Sequence, residues 1–95
     1  MNLPDYIMIG GKKVQIIIKD MDLIGQYISD QDGARIFLKK DQPNLLDALF
    51  HELVHACLDI SGVGYLFDEG QEEAIVRCLE NILLPALINL NENCK

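Results

Sequence analysis

The residues best suited to chemistry lie in HELVH, His51 to His55. Both histidines of the chain fall here, with a glutamate beside the first. On an α-helix, positions i and i+4 share a face, so His51 and His55 can converge on one ion. Zn²⁺ suits imidazole and carboxylate ligands at roughly 2.0–2.2 Å. Such an ion lowers the pKa of its bound water to about 7, which makes attack on a carbonyl possible at neutral pH. In this pattern Glu52 does not bind the metal. It takes a proton from the water and delivers it to the leaving group. Chance alone would produce HExxH in roughly a few per thousand chains of this length. Here it also sits inside a strongly helical run, where its geometry requires it to be.

A catalytic zinc site takes three protein ligands and a water. With no third histidine, the remaining ligand must be an acid on another element, and DEGQEEA offers Asp68, Glu69, Glu72 and Glu73. If Ile75, Leu79 and Ile82 form the inward face of the second helix, Glu72 lies on that face, three residues before Ile75. Glu73 then sits about 100° round, toward Arg77, with which an i, i+4 pair is expected. Glu72 is favoured, and Glu73 and Glu69 remain as alternatives.

Two kinds of element must position these groups. The first 40 residues read as strands: Tyr6–Ile9, a Gly10-Gly11 turn, Val14–Ile18, Leu23–Ile28, a Ser29–Gly33 turn and Ala34–Lys39. They predict a small, mostly antiparallel sheet. Two packed helices follow. The first, with Asp41 or Asn44 as N-cap and Gly62 as C-cap, is apolar on most sides and predicts a buried helix. The second starts near Gln71, and Pro85 should kink or end it. The expected class is α+β, in one domain spanning residues 1–95.

Hydrophobic residues make up 49% of the chain, enough for a core. The net charge of −7 argues against nucleic acid, whose phosphates call for a basic surface. No apolar run is long enough for a membrane span, and without a basic start followed by an apolar block no secretory signal is expected. The cysteines number three and lack CxxC spacing, and Cys57 and Cys78 read as reduced core residues. These features suit a cytoplasmic protein.

HELVHA, followed by an acidic second helix ending in LLP, resembles the gluzincin metallopeptidases. The likeness is to the ImmA/IrrE type and to very small gluzincin-like proteins of phages and prophages, and it covers about Gly25 to Pro85. It implies a zincin-like fold, a peptide or protein substrate and a catalytic zinc. The family glutamate stands thirteen residues before the proline, which is Glu72 here. Val76 occupies a position where many members carry an acid that supports a ligand histidine. Asp47 and Asp59, each four residues from a histidine, are candidates for that support. The resemblance further implies that substrate pairs along the strand Ala34–Lys39, taken as the sheet edge. Tyr65 and Tyr27 are candidate donors to the oxyanion. The rival expectation is a zinc-stabilised module that binds a protein without cleaving it.

Overall fold

The structure is a computed structural model and describes residues 2–94. Four strands come first: β1 (Tyr6–Ile9), β2 (Lys12–Lys19), β3 (Gly25–Asp30) and β4 (Gly33–Lys39). Gly10 and Gly11 join β1 to β2 with φ of +55° and +78°. Such a two-residue hairpin turn needs positive φ at both positions, which glycine adopts without steric penalty. Gln31 and Asp32 turn β3 into β4, and the Asp30 carboxylate accepts the Asp32 amide at 2.9 Å.

The strand order is β1-β2-β4-β3. β4 therefore lies inside the sheet, parallel to β2 and antiparallel to β3. Two of the three pairs are antiparallel, as a mostly antiparallel sheet requires, but the sheet is mixed, and the expectation of Ala34–Lys39 as its edge is corrected. The physical reason is the burial of β4. Ala34, Ile36 and Leu38 are each no more than 2% exposed, and a strand so placed must satisfy its backbone groups on both sides. The edge beside the histidine helix is β3.

Helix α1 (Leu45–Ile60) covers one face of the sheet. Ala48, Leu49 and Ala56 pack on Val14, Ile16, Ala34, Ile36 and Leu38 to make the core. The helix is less buried than its composition implies, since Leu46 and Cys57 are exposed. So small a chain has one sheet and one further helix to lay against it. Cys78 is likewise exposed and unbridged, so neither cysteine is a core residue.

A short 3₁₀ turn (Gly64–Leu66) leads to α2 (Glu69–Cys78). Asp68 caps α2 through a reciprocal pair with Gln71, which satisfies two otherwise unpaired amides. The helix does not stop at Pro85. It widens into a π turn (Leu79–Leu83) and continues as α3 (Leu84–Asn93). The proline ring crowds the carbonyl four residues back, at Asn81, and the wider turn there relieves the conflict. Among the described residues, no helix is long and apolar enough to cross a membrane.

Candidate metal centre

Helix α1 presents two different rows. Ala48, Glu52 and Ala56, spaced by four, form the row turned into the protein, and all three are buried. The alanines let α1 come close to the sheet, and Glu52 between them is 8% exposed. One step round the helix, His51 and His55 are half-buried and face α2, with ring centroids 5.1 Å apart.

Helix α2 meets them with acids. Its pivot is Val76, which is fully buried, while Ile82 is 69% exposed. The inward face is therefore rotated from the Ile75–Leu79–Ile82 stripe expected from sequence. Glu72, Glu73 and Glu80 all lie three or four positions from Val76, and this rotation brings all three to the histidines. Glu73 reaches both Nε2 atoms: Oε1 is 3.0 Å from His51 Nε2 and Oε2 is 3.3 Å from His55 Nε2. Glu72 instead accepts from His55 Nδ1 at 2.6 Å, and Glu80 from His51 Nδ1 at 2.8 Å. The acid between the two Nε2 atoms is thus Glu73, not the favoured Glu72. Glu69 lines the cleft beside them. Arg77 pairs with Glu73 as expected, at 3.7 Å and from a largely exposed position.

This donor set fits a metal. One ligand atom from each of His51, His55 and Glu73 lies within 4.8 Å of the other two. Tetrahedral ligands at ~2.0–2.1 Å from a common centre stand about 3.3 Å apart, and the two Glu73 oxygens lie 3.0 and 3.3 Å from the two Nε2 atoms. The other ring nitrogens complete the fit. With Nδ1–H donating to Glu72 or Glu80, each Nε2 keeps its lone pair for an ion. Sequence reasoning missed Glu80. Its signal was the seven-residue spacing from Glu73, two helical turns, which keeps both on one face.

Asp47 and Asp59 do not support the histidines. Asp59 accepts the Tyr27 hydroxyl at 2.7 Å, and Asp47 lines the cleft on the far side of His51. Burial and this bond push the Tyr27 phenol up to about 12. Tyr65 stands 84% exposed on the 3₁₀ turn and also lines the cleft.

Glu52 sits beside the His51, His55 and Glu73 group without being part of it. Its carboxylate lies against β3 at Gly25. Burial raises its pKa above the ordinary carboxylate value. His51 and His55 oppose that shift, Glu73 adds to it, and the Tyr27 amide opposes it. The result is a carboxyl more basic than usual, set at the junction of two open cavities of about 950 and 860 Å³. Both are lined by Gly25, His51, Glu52 and Glu73, so they form one cleft running along β3 and across the site.

No protein-family model, curated protein or solved structure matches this chain.

Proposed function

We propose that this chain is a zinc-dependent metallopeptidase of the gluzincin type, with His51, His55 and Glu73 as its metal ligands. The observation that carries the reading is the seating of Glu52. A buried carboxylate with raised basicity stands beside a three-ligand set and faces an open cleft, which a purely structural metal site has no use for.

Zinc, when bound, supplies the Lewis acidity that makes water nucleophilic at neutral pH. With the ion bound, Glu52 would be placed to accept a proton from the attacking water and return it to the leaving amine nitrogen, a role suited to a carboxyl of raised pKa. Glu72 and Glu80 fix the two imidazoles with Nε2 toward the centre. The free edge of β3 aligns an extended peptide by main-chain hydrogen bonds, in place of β4, which is paired on both sides. Tyr65 is the better donor to the developing oxyanion, because the Tyr27 hydroxyl is engaged by Asp59.

The test is to incubate the zinc-loaded protein with a mixture of unstructured peptides and read cleavage by mass spectrometry, beside Glu52→Gln. Cleavage by the wild type that is lost in Glu52→Gln and on chelation supports the reading. A zinc-bound wild type that cleaves nothing favours the non-catalytic, zinc-stabilised binding module.

A further inference from the structure

We propose that Gly25 is a positioning residue for Glu52, its missing side chain forming the notch in which the carboxylate is seated. A Cβ placed on Gly25 would stand 3.1 Å from both Cγ and Oε2 of Glu52, and 3.4 Å from Cδ. Carbon atoms pack best at about 3.5–4.0 Å, so any side chain here displaces the glutamate.

The backbone offers no competing reason for glycine at this point. Gly25 is not among the glycines with positive φ, and it pairs in register with Leu38 of β4. A glycine in a strand, here at the first position of β3, often marks a place where another group approaches closely. Here that group is Glu52. Gly25 and Tyr27 lie two apart and share the strand face turned to α1. The first leaves the space for Glu52, and the second ties the strand to α1 through its hydroxyl bond to Asp59. Ala48 and Ala56, one helical turn to either side of Glu52, bring α1 near enough for this contact.

Gly64 makes a similar space for Glu72, with a Cβ there 3.2 Å from Oε1. That Cβ would also meet the Leu58 carbonyl oxygen at 3.3 Å, so substitution at Gly64 disturbs backbone as well. At Gly25 the three nearest atoms are all side-chain atoms of Glu52, which makes it the cleaner probe.

The catalytic consequence rests on the metallopeptidase reading, whereas the contact itself does not. The experiment is a double-mutant cycle of Gly25→Ala and Glu52→Ala, read by thermal unfolding of the metal-free protein. Gly25→Ala should lower Tm in the wild-type background. It should leave Tm unchanged or raised beside Glu52→Ala, where the obstruction is gone and alanine only restricts the unfolded chain. A Gly25→Ala protein that folds only when combined with Glu52→Ala supports the proposal equally. The same shift in both backgrounds, or failure to fold in both, overturns it.

In the peptidase assay Gly25→Ala should lower kcat roughly tenfold with KM and zinc content unchanged. Wild-type kcat in that variant overturns the positioning role. If the wild type itself cleaves nothing, the proposed function fails, and the stability cycle still decides the contact.

Discussion

His51 Nδ1 lies 2.8 Å from Glu80 Oε1, so the first histidine of the motif is held from a residue 29 positions further along the chain. Glu80 belongs to the π turn, just beyond the last residue of α2. A carboxylate on the far nitrogen fixes the ring and raises its basicity as a ligand. Glu80→Gln should therefore weaken zinc binding by roughly 10- to 100-fold while leaving the fold intact. Competition with a chromophoric chelator measures this. Unchanged affinity would show that the contact does not orient His51.

Glu72 and Glu73 are adjacent in sequence and differ in what they touch. Glu73→Ala should abolish stoichiometric zinc, because it removes the acid that, among the described residues, reaches both Nε2 atoms. Glu72→Ala should keep the metal at reduced affinity, because it removes only the support at His55 Nδ1. Elemental analysis after dialysis separates the two. Zinc retained by Glu73→Ala and lost by Glu72→Ala would reverse the assignment.

Glu52 should make the metal-free protein less stable as pH rises. Its folded pKa lies above the ordinary 4.5, so the fold favours the neutral carboxyl. Below that ordinary value both states are protonated and no penalty exists. As pH climbs through it, the unfolded chain ionises first and stability falls, until the folded carboxyl ionises too. Glu52→Gln removes this dependence. Its Tm should exceed that of the wild type at neutral pH, with the gap closing in acid. A gap that widens in acid would mean the carboxylate is stabilised, not strained, by its site.

Tyr27 reports the β3–α1 contact at the other end of the pH scale. Its phenol is raised to about 12, chiefly by burial and then by Asp59. The stability this gives is complete below the ordinary value of 10.0 and is lost as pH rises toward about 12. An ultraviolet difference titration should show one tyrosine ionising late, and Asp59→Asn should bring it down. Three tyrosines titrating together would contradict the contact.

Much of this was legible in the sequence, for reasons that particular residues illustrate. Alternation marked Ile36 and Leu38 as one face of a strand, and the i, i+4 spacing placed both histidines on one side of a helix. Strand order was not legible. Nothing local in Ala34–Lys39 says that it slips between β2 and β3, because parallel pairing is settled by distant partners. The acid that reaches both Nε2 atoms is one residue from the one favoured by the sequence. Ile75, Leu79 and Ile82 were read as the inward stripe, yet Ile82 is largely exposed and Val76 is the anchor. One residue is about 100° of helix, enough to exchange Glu72 for Glu73. The cysteines misled because a chain this small cannot cover every apolar stretch it carries.

Helix α2 buries a single residue, Val76, and meets α1 through pairs of carboxylates and imidazoles. An element so lightly packed opens at small free energy, well before the sheet does. Amide hydrogen exchange should therefore run fast along Glu69–Cys78 in the metal-free chain and slow when zinc is bound, while Ile36 and Leu38 stay protected in both. On this account the ion acts as a clasp. Chelation would release one helix from its neighbour and leave the rest of the molecule folded.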